Sequence, residues 1–141
     1  MDIEQALAYA SANRNGVLAT MKRDGRPQLS NISHGVGDDG IIRISITADR
    51  AKYPNIVRDP RASLYVTQPD FWGYVVIEGD AVVAPPAAAV DDATTEALVD
   101  LYRSLAGEHP NWDEYRSVMV SDRRTVVSLT PTHAYGMLPQ T

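Results

Sequence analysis

Between Gly16 and Thr47, three segments of strand-like alternation are separated only by tight-turn residues. GVLATMKR (Gly16–Arg23) runs into Asp24-Gly25, a dipeptide suited to a two-residue hairpin. RPQLSNISHGV follows, then GDDG, then IIRISIT, in which Ile42, Ile44 and Ile46 alternate with Arg43, Ser45 and Thr47. Strands linked this closely pair antiparallel, because a parallel pair needs a long crossover.

The same stretch contains GVGDDG (Gly35–Gly40), which matches the dinucleotide-binding pattern G-x-G-x-x-G. That pattern works only where a strand leads into a helix whose free N–H groups meet a pyrophosphate. Here it joins two strands, and Asp38 and Asp39 would repel phosphate. It is a turn, and the phosphates of any nucleotide-like cofactor belong elsewhere.

The rest of the chain extends the pattern. Asp2 and Gln5 form a capping box for a helix over Ile3–Ala12. TADRAKYPNIVRDP predicts a helical segment of about two turns, with Pro54 in its first turn and Asp59-Pro60 closing it. RASLYVTQ and GYVVIEGDAVVAP read as strands four and five, with Gly79 a bulge or bend. PPAAAVDD is a linker. Asp91 or Asp92 then caps a helix to about Ala106, with an apolar stripe of Ala97, Leu98, Leu101, Tyr102 and Leu105 and Gly107 at its end. Asn111 and Glu114 start another helix through about Val120, and RTVVSLTPTHAYGM is the last strand. The expected architecture is one domain over residues 1–141, mainly β, a mostly antiparallel barrel with helices at its edges.

Composition narrows the chemistry. The chain has 141 residues and no cysteine, which excludes a disulfide framework and cysteine metal sites. Its net charge of −5 argues against nonspecific nucleic-acid binding, which depends on neutralising phosphates. The acidic start MDIEQALAYA lacks the basic opening of a signal peptide, and no apolar run approaches the ~20 residues of a membrane helix. A soluble, cytoplasmic protein is expected. His34, His109 and His133 have no ligand spacing, so each is expected to be a surface or interface polar residue and no metal site is expected. There is no nucleophile elbow and no Walker loop, and no side chain is assigned a catalytic role.

Three groups of residues suit ligand binding. Arg50 and Lys52 stand at the entry of the short helix after strand three, where N–H groups, dipole and side chains would all favour an anion. The alternative is a solvated charged turn. On strand two, Gln28 and Ser30 share one face and Leu29, Asn31 and Ser33 the other, while Ser45 and Thr47 sit together on strand three. Such small hydroxyls and amides can hydrogen-bond a flat heterocycle, or simply face solvent. Phe71, Trp72 and Tyr74 precede strand five and suit ring packing, an interface, or a turn buried under a helix.

These segments in order also carry a resemblance. GVLATMKRDGRPQLSN, ADRAKYPNIVRDPRASLYV, GYVVIEGDAVV and LYRSLAGEHPNWDEYRSVMVSDRRTVVSLTPTHAYG resemble the pyridoxamine 5′-phosphate oxidase-like split β-barrel superfamily over nearly the whole chain. They are most like its actinobacterial flavin/deazaflavin branch, oxidoreductases that use coenzyme F420. The resemblance implies a six-stranded antiparallel split barrel (the FMN-binding split barrel) and a homodimer with two cofactor sites between the subunits.

It also implies a cofactor-contact set. Arg50 and Lys52, with Ala51 between them, would hold the cofactor phosphate. Gln28, Ser30, Asn31, Ser45, Ile46 and Thr47 would line the ring pocket. Trp72 with Tyr74 would reach the site from the partner chain. The chain ends AYGMLPQT, without the Arg- and His-rich segment of true pyridoxamine phosphate oxidases, so the resemblance favours F420 over vitamin B6 oxidation. The implied activity is hydride transfer from reduced deazaflavin to a small organic substrate such as an activated C=C, completed by a proton from water or a nearby donor. His133 and Tyr135 are candidates for that donor on no sequence motif, and the catalytic residues stay unassigned. An FMN-dependent oxidoreductase on the same fold, and a carrier that binds cofactor without turnover, are the alternatives.

Overall fold

In the computed structural model, which describes residues 1–139, four helices and six strands follow one another as α1 (Ile3–Ala12), β1 (Asn15–Met21), β2 (Pro27–Val36), β3 (Ile42–Thr47), α2 (Lys52–Arg58), β4 (Arg61–Thr67), β5 (Tyr74–Val83), α3 (Ala93–Ala106), α4 (Trp112–Ser121) and β6 (Arg124–Met137). The strands close into a barrel in the order β1-β2-β3-β6-β5-β4, every pair antiparallel. Local chemistry sets the joints. Gly25 takes φ 87° in the β1–β2 turn and Gly40 φ 78° in the β2–β3 turn, so GVGDDG is a hairpin connection with no helix after it. Asp2 and Gln5 form the reciprocal cap of α1, Asp92 accepts from Thr95 N at the start of α3, and Asn111 accepts from Glu114 N at the start of α4.

Inward residues fill the barrel: Leu18 from β1, Ile42, Ile44 and Ile46 from β3, Leu64 and Val66 from β4, Val75 and Ile77 from β5, Val127 and Leu129 from β6. Each such side chain contributes roughly 1.5–3 kcal/mol by leaving water. α1 packs onto this core through Ala6 and Ala10, and α2 through Ile56. Asn55 of α2 is buried and donates to Thr20 Oγ1 at 3.2 Å, which satisfies both polar groups.

α3 and α4 lie against the outside of β6, where Leu98, Met119 and Val126 form a smaller cluster with Ala87. α3 also packs on β2 and comes close at Gly35, where a Cβ would meet Leu101 Cδ1 at 3.0 Å. At Gly79 the β5–β6 register shifts.

His34 departs from expectation. It is fully buried rather than on a surface or interface, with Nε2 2.9 Å from the Ala10 carbonyl. The reason is the pleat: His34 pairs with Ile44 and therefore shares its inward face. Among the described residues its Nδ1 has no partner. Burial lowers its pKa against the opposing hydrogen bond to the Ala10 carbonyl, and the nearby Arg14 adds to the lowering.

Candidate cofactor site

The β2–β3 ladder is short. It joins His34–Val36 to Ile42–Ile44 and then stops, while β3 continues to pair with β6 as far as Thr47. The wall is therefore split, and β2 residues before His34 and β3 residues after Ile44 flank the gap without pairing across it. Side chains alternate, so the outer face beside the gap carries Asn31 from β2 with Ser45 and Thr47 from β3.

Cations gather at the β3 end of this surface. Lys52 is half-buried and its pKa is lowered, first by burial and then by repulsion from Arg50 and Arg124. Arg124, the first residue of β6, pairs with Thr47 and donates through Nη1 to Ser45 Oγ at 3.2 Å. Arg123 stands beside it with φ 51°. Asp49 lies among these groups, its pKa lowered by a hydrogen bond from Thr47 and by Arg50 and Arg123. Among the described residues no salt bridge neutralises Arg50, Lys52, Arg123 or Arg124. Excess positive charge, partly out of water, is the complement of a phosphate.

The short helix contributes less than its position suggests. Pro54, its third residue, has no N–H, and the amides of Arg50 and Tyr53 already donate to the carbonyls of Thr47 and Arg50. The positive character at this corner comes from side chains. Arg124 was not legible as a member because it lies 79 residues from Ser45.

The other expected contact residues divide. Gln28 and Ser30 pair with Thr20 and Leu18, both buried, and so point toward the interior rather than alongside Asn31. Ile46 is 2% exposed and belongs to the core, and its backbone is turned to β6 opposite Thr125, so the open edge of β3 is formed by the backbone of Ser45 and Thr47 instead. Ala51 is the exposed N-cap residue of α2.

Tyr74 lies on the outer face of the barrel, stacked on Tyr65 with centroids 5.7 Å apart. Trp72 is 77% exposed and Phe71 75%, so the turn before β5 is not covered by a helix. His133 and Tyr135 stand together on exposed β6, ring centroids 6.1 Å apart. A lateral row, Asn31–Val17–Tyr65–Val76–Tyr135, crosses five strands and puts Tyr135 at the opposite end from the gap. No helix of the described residues is long and apolar enough to cross a membrane.

Comparison with known proteins agrees with this architecture. Residues 3–138 match the family model described as pyridoxamine 5′-phosphate oxidase. Among solved structures, a conserved hypothetical protein of Mycobacterium tuberculosis is similar at 24% identity, with 100% of this chain and 91% of that one covered and a TM-score of 0.73. An F420 reductase is similar at 22% identity, with 91% and 94% covered and a TM-score of 0.67. A pyridoxamine 5′-phosphate oxidase-related, FMN-binding protein of Nostoc punctiforme is similar at 15% identity, with 95% and 78% covered and a TM-score of 0.60. With a closed six-stranded antiparallel barrel and a family match over nearly its whole length, the chain belongs to the pyridoxamine 5′-phosphate oxidase family of flavin-binding split barrels.

Proposed function

We propose that this protein is an F420-dependent reductase in which the cofactor's phosphate rests on Arg50, Lys52 and Arg124 and its ring lies over the split between β2 and β3. The observation that carries the reading is the cation cluster beside that split, where four basic residues outnumber the single carboxylate of Asp49 and none is in a salt bridge among the described residues. When bound, reduced deazaflavin would supply the hydride for an electrophilic carbon, with water supplying the proton that completes the reduction, and the protein binds and orients.

The chain's residues have separable tasks. Arg50, Lys52 and Arg124 fix the anionic tail with charge-assisted hydrogen bonds. Asn31, Ser45 and Thr47 offer amide and hydroxyl groups to the edge of a flat ring, with the Ser45 hydroxyl oriented by Arg124. The unpaired edge of β3 offers backbone groups to the same ring. Holding ring and substrate together in reactive geometry supplies roughly 7 kcal/mol or more of the barrier. No protein nucleophile is required.

A second copy of the chain completes the site in this reading. The outer face of β1, β2, β4, β5 and β6 carries the exposed apolar residues Leu29, Tyr135 and Met137, with Trp72 projecting beside it. A partner packed there would bury them and bring its Trp72 and Tyr74 toward the cofactor.

FMN is the competing cofactor, since an FMN-binding protein is also among the structural relatives. Parallel titration with F420 and FMN, followed by turnover assays with the tighter binder reduced, separates the readings. Tighter F420 binding with reduction of an enone supports the proposal. Tighter FMN binding moves the protein to the flavin branch, and tight F420 binding without turnover makes it a carrier.

A further inference from the structure

A cavity of about 840 Å³ opens on the outer face of the barrel, beside the split and away from the cations. It lies between the α1–β1 connection, the outer faces of β1 and β2, and the turn before β5. That volume is typical of small-molecule sites.

Three features give the cavity a chemical preference. Its lining holds no carboxylate, in a chain with 18 acidic residues, but does hold Arg14 and several amides. The Asn15 carbonyl oxygen accepts from Ser33 Oγ at 2.9 Å, and its amide N–H groups have no protein acceptor among the described residues. Arg14 commits only Nη1, to the Leu105 carbonyl at 2.6 Å. The site therefore presents donors and positive charge.

Aromatic faces line the same space. Tyr65 forms part of the wall, and Phe71 stands at the turn with φ 68° and 75% of its surface exposed. A bulky residue in the left-handed region persists only where its surroundings over-determine it. Here Phe71 N donates to the Gln68 carbonyl at 3.0 Å. Asp70 Oδ1 accepts from Gln68 Nε2 at 2.6 Å and from Trp72 N at 3.0 Å. A left-handed backbone at Phe71 thus keeps its ring exposed at the cavity instead of burying it.

We propose that this cavity is the substrate chamber. It takes a small planar molecule whose flat face lies against Tyr65 and Phe71 and whose conjugated carbonyl or carboxylate meets Asn15 and Arg14. This assignment rests on the cofactor reading above, because the chamber adjoins the ring surface at Asn31, which lines both.

The test uses trans-cinnamate and trans-cinnamamide as probes, titrated by saturation-transfer NMR into protein free and loaded with its tighter cofactor. Both probes are expected to bind. Phe71→Gly should weaken both roughly tenfold, with an unchanged or higher Tm because the strain is relieved. Arg14→Gln should weaken cinnamate more than cinnamamide, and cofactor affinity should be unaltered in both variants.

Absence of probe binding in both forms, indifference to Phe71→Gly, or displacement of cofactor by cinnamate would overturn the chamber. Cofactor binding without probe binding removes the chamber and leaves the functional reading. Probe binding that depends on Phe71 in a protein that takes neither cofactor does the reverse.

Discussion

Arg124 Nη1 lies 3.2 Å from Ser45 Oγ, a hydrogen bond that ties the start of the last strand to the polar edge of the split. The contact links the two halves of the proposed cofactor site, since Arg124 also raises the positive potential at Lys52. Arg124→Ala should weaken binding of the phosphorylated cofactor by about 1.5–3 kcal/mol, roughly ten- to a hundredfold. Lys52→Ala should act similarly. Fluorescence titration reads both, and unchanged dissociation constants would remove these residues from the site.

Acid should destabilise the protein through His34. Its pKa in the folded chain lies below the ordinary 6.5, because burial disfavours the imidazolium. Below about pH 6.5 the unfolded chain therefore binds more protons. The contribution is fully present above that value and is lost as pH falls toward the folded pKa, by at most about 1.4 kcal/mol per pH unit. Asp39 and Asp59, held at about 2 by hydrogen bonds from Arg43 and Arg61, give stability that is fully present above their ordinary 3.8 and lost only as pH falls below it, outside this window. Urea unfolding between pH 7 and 5 should thus show a decline in the wild type that His34→Gln largely abolishes. Parallel profiles would contradict the assignment.

Gly79 should tolerate no side chain. A Cβ there would stand 2.1 Å from the Thr130 carbonyl oxygen, at the register shift between β5 and β6. Gly79→Ala should cost roughly 1–3 kcal/mol by crowding backbone that cannot yield. Val82→Thr, at an exposed position on the same strand, should stay within about 0.5 kcal/mol of wild type. Thermal denaturation of the two variants checks the contrast.

The uncovered sheet face should mediate dimerisation. Leu29 is 62% exposed and Met137 60%, and Leu29→Arg would place a charge in a buried interface, which is costly without a partner. Sedimentation should find the wild type dimeric and Leu29→Arg largely monomeric. A monomeric wild type would refute the shared site.

Much of this fold is written locally. Asp2 with Gln5, Asp24-Gly25, Pro54 and Gly107 each set a boundary through their own backbone chemistry, and the structure places a boundary at each. What was not legible depends on partners distant in sequence. Strand β2 carries polar residues on both faces, so its alternation alone does not say which face is inside. Pairing with Leu18 and Ile44 decides that Ser30 and His34 point inward. The cation pair Arg50 and Lys52 was visible because one turn contains both, whereas Arg124 joins them only once β6 lies beside β3.

The most direct test of the account is a crystal structure with bound cofactor. The account predicts a phosphate within about 2.7–3.2 Å of at least two of the Arg50, Lys52 and Arg124 side chains, with the ring over Asn31, Ser45 and Thr47. A cofactor bound with its phosphate away from all three cations would contradict it.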